Sequence, residues 1–132
     1  MNDELILQSI KKLLNIPNDH KAFDQDIIIH INSIFSILYQ MGVGPKDKAF
    51  VANEFSTWDE FMQDKTNIND VKTYIYLRVR LLFDPPTSGT VMEACRQEIS
   101  ELAFRLNLED DDTVDYSKDT SNVDDKEVNW GD

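Results

Sequence analysis

The run Leu81-Leu82-Phe83-Asp84-Pro85-Pro86-Thr87-Ser88-Gly89-Thr90 constrains this chain more than any other stretch. An apolar helical pattern stops there, two prolines follow, and a second helical pattern begins at once. Proline lacks an N–H, a loss that a helix tolerates only in its first turn. Pro85 and Pro86 therefore end one helix and are placed to open the next. Asp84 is a candidate cap for that opening. Thr87, Ser88 and Thr90 are alternatives, and Thr90 stands in capping-box spacing with Glu93. Asp84, Pro85 and Pro86 are thus expected to form a stiff joint that locks two long helices at one crossing geometry.

The flanking patterns supply the helices. Residues 68–83 place Val71, Tyr74, Ile75, Arg78, Val79 and Leu82 at helical spacing, and so few polar positions interrupt them that this helix is expected at the centre of a bundle. Residues 86–107 repeat Val91, Cys95, Ile99, Leu102 and Leu106, with Glu98 and Glu101 near Arg105 as weak surface pairs. Residues 3–14 carry Leu5, Ile6, Ile10, Leu13 and Leu14, with Asp3 and Glu4 at the start, Lys11 and Lys12 at the end, and Pro17 beyond. Residues 24–41 carry Ile27, Ile28, Ile31, Ile34, Phe35, Leu38 and Tyr39. Isoleucine favours strand locally, but the length and the i, i+3, i+4 recurrence favour helix. Gly42, Gly44 and Pro45 end it.

The stretch 42–66 is the least regular. Thr57 and Glu60 have capping-box spacing, so a short helical turn around Trp58, Phe61 and Met62 is expected within a loop. Long loops in small domains are usually functional or disordered. Trp58, Phe61 and Met62 are accordingly candidates for partner binding, with a satellite core as the other reading. The predicted fold is all-α: a bundle of about four main helices in residues 1–108, an irregular central loop, and an acidic tail at 109–132 expected to be disordered.

Charge narrows the function. The net charge is −12, and residues 109–132 hold ten acids against Lys118 and Lys126, or −8, leaving −4 for residues 1–108. Such a balance argues against broad attraction to nucleic acid or anionic lipid. The lone Cys95 cannot make an intrachain disulfide or a cysteine zinc site, which fits a reducing cytosol. The start MNDELILQSI lacks the basic region of a secretory signal, and no apolar run is long enough to span a membrane.

Catalytic motifs are missing. There is no P-loop, G-x-S-x-G, H-E-x-x-H or dinucleotide fingerprint. His20 sits in a polar link, and His30 in the isoleucine-rich helix reads as structural. Cys95 on an apolar stripe reads as a buried, inert thiol. The Glu109-Asp110-Asp111-Asp112 run lacks the central glycine of a calcium loop and reads as a solvated tail. Arg78 and Arg80 read as snorkelling or paired side chains rather than phosphate ligands. No catalytic, cofactor or metal residue is assigned.

Order and spacing also carry a resemblance. Asp26-Ile27-Ile28 leading into Ile31-Asn32-Ser33, the Gly42-Val43-Gly44 turn, and Leu82-Phe83-Asp84-Pro85-Pro86 ahead of Glu98-Ile99 and Arg105-Leu106 resemble the small head–tail connector proteins of long-tailed bacteriophages. These are also called head-completion or adaptor proteins and are often labelled DNA packaging. The likeness covers residues 3 to about 108. It implies a compact helical bundle without enzymatic activity or cofactor. It further implies assembly in the host cytoplasm into the virion, as a ring on the portal protein that extends the DNA channel and receives the stopper or tail. Its partners would be the portal, the stopper or tail-completion protein and other copies of itself, with DNA passing through unbound and no membrane involved. The free chain would be a monomer or weak oligomer. The competing reading is an acidic DNA mimic, or another regulator of a host nucleic-acid enzyme, resting on the −8 tail.

Overall fold

The computed structural model describes residues 4–62 and 68–110. Among them five helices form: α1 (Ile6–Leu13), α2 (Asp24–Gln40), α3 (Trp58–Met62), α4 (Ile68–Phe83) and α5 (Gly89–Asp110). The architecture is the all-α bundle that the periodicity predicts, and no helix among the described residues is long and apolar enough to cross a membrane.

α4 is the central element, packing against α1, α2 and α5. Val71, Tyr74, Ile75, Leu77 and Val79 on it are buried. They meet Ile27, Ile31, Ile34 and Leu38 of α2 and the Cys95, Ile99, Leu102 and Leu106 stripe of α5 in one core. α2 and α5 both run antiparallel to α4. Phe83 at the end of α4 lies 5.3 Å, edge to face, from Phe23 just ahead of α2, while Arg105 late in α5 lies 3.8 Å from Asp70 at the start of α4. Arg105 therefore reaches across to α4, rather than back to Glu98 or Glu101. The pair is half exposed and contributes little stability.

Two helix ends close by the same device. After α2, the Val43 N–H donates to the Leu38 carbonyl at 2.8 Å and the Gly42 N–H to Tyr39 at 3.0 Å, with Gly42 at φ 86°. After α1, Ile16 donates to Lys11 at 2.8 Å and Asn15 to Lys12 at 3.1 Å, with Asn15 at φ 66°. Both are left-handed caps that satisfy the last carbonyls, one using glycine and the other asparagine.

Several boundaries differ from the sequence reading. α1 begins at Ile6 rather than residue 3, because Glu4 and Ile6 are engaged elsewhere: Ile6 N–H donates to the Ser56 carbonyl at 2.9 Å and Trp58 N–H to the Glu4 carbonyl at 3.2 Å. That extended pairing holds Leu5 at ψ 135° and leaves no room for a helical turn there. Likewise α5 opens at Gly89 rather than at 86, so Pro85 and Pro86 lie wholly in the connection. Of the candidate caps, Ser88 fills the role, its Oγ accepting from the Val91 N–H at 3.4 Å. Leu82 and Val91, expected inside, are 54% and 41% exposed. α5 continues to Asp110, past the expected helix end, and the acidic stretch from 111 onward lies outside the described residues.

Candidate functional site

The irregular stretch between α2 and α3 is built rather than loose. Asn32 on α2 grips it like a rung of a sheet: its Oδ1 accepts from the Ala52 N–H at 2.7 Å and its Nδ2 donates to the Ala52 carbonyl at 3.1 Å. A few residues on, Ser56 Oγ accepts from the Asn53 N–H at 2.9 Å and Asn53 Oδ1 accepts from the Phe55 N–H at 2.8 Å. Thr57 and Glu60 form the expected reciprocal capping box at 3.0 and 3.3 Å, which starts α3.

Underneath lies an aromatic cluster. Phe35 of α2, Phe50 of the loop and Phe61 of α3 have ring centroids 4.5 to 5.6 Å apart, within the range of favourable aromatic pairing. Gly44 completes it at φ 95°, because a Cβ there would stand 2.5 Å from Phe61 Cε1.

The three partner-binding candidates are all inside. Trp58 is fully buried, and Phe61 and Met62 nearly so. Trp58 Nε1 donates to Ser9 Oγ of α1 at 2.7 Å, and Ser9 Oγ donates on to the Ile6 carbonyl at 3.1 Å. The Lys72 ammonium of α4 sits 5.4 Å from the centre of the indole and pairs with Glu4 at 2.8 Å. The side chains that the loop does expose are Val51 and Phe55, at 73% and 71%. Their signal in the sequence is faint: Phe55 is an aromatic beside the polar Asn53 and Glu54.

Lys11 does more than complement the helix dipole. Lys11 is buried at the end of α1. Its Nζ meets Asp24 Oδ1 at 2.8 Å and donates to the carbonyls of His20 and Asn18 at 2.8 and 3.2 Å. One ammonium thus fastens the end of α1, the 14–23 link and the start of α2.

On the opposite flank of α2 from the loop runs a groove of about 770 Å³, walled by α2 and α5 and floored by α4. Ile29, Ile37, Leu81 and Leu82 give it apolar surface, Arg78 and Arg96 give it cationic groups, and His30 lines it as well. Arg78, half-buried, holds its guanidinium 5.6 Å from the centre of the Tyr74 ring one turn back on α4, a cation–π contact. His30 is half-buried in this groove, whereas His20 is exposed against Phe23. Cys95 is buried on the α5 stripe. Asp84, Pro85 and Pro86 lie at the far end of α4, remote in sequence from the loop, with Asp84 and Pro85 exposed and Pro86 half-buried.

Among the described residues two unlike surface features stand out: a fixed loop with apolar side chains outward, and an apolar groove with arginines. Neither is a reaction centre in form. Among the described residues no three of His, Cys, Asp and Glu gather as metal ligands. No curated protein and no solved structure gives a significant match to the chain. A family model described as phage connector protein matches residues 6–113, which takes in all five helices. That family is structural rather than catalytic, and its members act at the junction of phage head and tail. On that match, the chain belongs to the phage connector protein family.

Proposed function

We propose that this protein assembles as a ring on the portal after DNA packaging, extends the DNA channel and presents the docking surface for the stopper or tail. The observation that carries the reading is the family match over residues 6–113, laid on a bundle whose outward features suit protein contacts. Charge supports it. A conduit should not grip its cargo, since every phosphate neutralised adds affinity through counterion release. Residues 1–108 carry −4, which suits a surface along which DNA slides.

Trp58, Phe61 and Met62 serve docking from beneath. They fix the loop whose outer face carries Val51 and Phe55, so a partner meets a surface already in shape and the ordering cost of docking falls. Asp84, Pro85 and Pro86 serve it by holding α4 and α5 at one angle.

The test is co-sedimentation of the purified full chain with portal rings. A connector associates and adds a collar of density visible by electron microscopy. A chain that leaves portal rings bare while binding a host nucleic-acid enzyme is the acidic mimic, and the connector reading falls.

A further inference from the structure

The loop and the groove lie on opposite flanks of α2. Phe35, which packs under the loop, and Ile37, which lines the groove, stand two positions apart on the helix. That spacing turns a side chain by about 200°, so the two point almost directly away from one another. A protrusion on one side and a recess on the other is the arrangement required for head-to-tail assembly. Such heterologous contacts close into rings when the rotation permits.

The geometry points to a contact in which the Val51–Phe55 turn of one copy seats in the α2–α4–α5 groove of the next. Three observations carry it. First, the turn is a preformed knob: Asn32 clamps Ala52, and Asn53 with Ser56 clamps the far side, so Val51 and Phe55 are held outward at 73% and 71% exposure. Second, the groove is apolar where the knob is apolar. Ile29 and Leu82 are 60% and 54% exposed there, and about 770 Å³ has room for a phenylalanine and a valine side chain together. Third, the charges match. Glu54 is exposed between Val51 and Phe55, and the exposed Arg96 stands at the α5 wall of the groove with Arg78 beside it. A glutamate delivered with the aromatic fixes register and steers encounter. The occupant is thus a second copy of this chain. The contact takes its setting from the connector reading, but its own test needs no portal.

The experiment uses the full chain with Cys95→Ala, which removes the buried thiol. Lys48→Cys, on the loop ahead of Val51, and Ser33→Cys, at the edge of the groove, both exposed, are introduced singly and together so that Val51, Phe55, Ile29 and Leu82 stay in place, and concentrated protein is treated with a bis-maleimide. The two-cysteine chain is expected to give a ladder of dimers, trimers and longer species. A mixture of the two single variants should stop at dimers, and each single variant alone should give almost none. In the two-cysteine background, Glu54→Arg or Arg96→Glu should cut ladder yield about tenfold, and the pair together should restore most of it, since like charges repel and the exchange re-forms the pair. Circular dichroism checks that every variant is folded.

An absent ladder overturns the contact whatever the portal experiment shows, and so does a charge pair that fails to rescue. A ladder that appears only when the chain is cut after residue 110 also overturns it, by making the acidic C-terminal stretch the occupant of the groove. Bare portal rings beside an intact ladder would instead sink the connector reading and leave the contact standing.

Discussion

Trp58 and Ser9 are 49 positions apart in sequence and joined by a 2.7 Å hydrogen bond inside the core. The indole N–H has no water to turn to, and the serine hydroxyl is its answer. The same tryptophan forms the first turn of α3, so this one contact ties the loop's end to α1. Trp58→Phe keeps most of the apolar bulk but takes away the N–H that Ser9 Oγ accepts, leaving the hydroxyl only its bond to the Ile6 carbonyl, and should cost about 1–3 kcal/mol of unfolding free energy. Trp58→Ala should cost about 3–5 kcal/mol. Guanidinium titration checks both. Portal docking of the surviving folded fraction should drop as well, because the loop that carries Val51 and Phe55 loses its base.

Lys11 makes the second prediction. A buried ammonium tolerates removal of its partner badly, and its partner equally so, because the remaining charge stays dry and uncompensated. Lys11→Met leaves the largely buried Asp24 without its counter-ion and abandons two backbone carbonyls. The expected loss is about 3–5 kcal/mol. Lys12→Met, one residue along on the exposed side, should change stability by less than about 0.5 kcal/mol. A pair of equal, small losses in urea titrations would mean that Lys11 is not the fastener.

What the sequence reveals and hides divides along a physical line. The helices were legible because periodicity is local: Cys95, Ile99, Leu102 and Leu106 mark the buried face of α5 with no knowledge of what covers it. The capping box at Thr57 and Glu60 was legible for the same reason. Trp58 and Lys11 were not. Beside polar neighbours a tryptophan looks like a surface anchor, and a lysine in a last helical turn looks like a dipole partner. Only contacts with Ser9 and Asp24, supplied by other elements, turn them into core. The groove escaped notice because Leu82 follows the helical rhythm of α4 yet falls where α2 and α5 do not close over it. The family resemblance, by contrast, rested on the order of local motifs, and the match over residues 6–113 bears it out.

Gly42 and Gly44 separate two reasons for needing glycine. Gly42 sits at φ 86° as the left-handed cap of α2, and Gly42→Ala should cost about 1–2 kcal/mol for backbone strain alone. Gly44→Ala adds a collision, with its Cβ 2.5 Å from the Phe61 ring. That ring is boxed by Phe35 and Phe50 and has little freedom to retreat. Gly44→Ala should therefore be clearly the more destabilising of the two in parallel thermal melts, and Gly42→Asn milder than either.

The acidic tail is expected to matter little to folding. Residues 109–132 repeat no apolar face that the bundle could bury, so deleting them should leave the thermal midpoint nearly unchanged. A fall equal to several kcal/mol would mean that the tail docks on the body.

The proline joint has an anchor on each side. Phe83 closes α4 against Phe23 at 5.3 Å, with the Asp84 N–H donating to the Arg80 carbonyl at 2.8 Å. Ser88 opens α5, its carbonyl accepting from the Met92 N–H at 2.9 Å. Pro85 and Pro86 span the gap with two fixed φ angles and no helix to interrupt, since α5 starts only at Gly89. Replacing both with alanine leaves each anchor in place and frees the unfolded chain, at about 0.4–1 kcal/mol per proline. Stability should fall by about 1–2 kcal/mol in total with helix content unchanged in the far-ultraviolet spectrum. Assembly on the portal should suffer more than that small loss explains, because α4 carries Leu82 in the floor of the groove and α5 carries Arg96 in its wall, and a looser joint lets them drift apart. Restoring Pro86 alone, the half-buried member, should recover most of the assembly. Unchanged stability together with a normal yield of tailed, DNA-filled particles would show that the crossing angle of α4 and α5 is set by their packing and that the prolines only fill the connection.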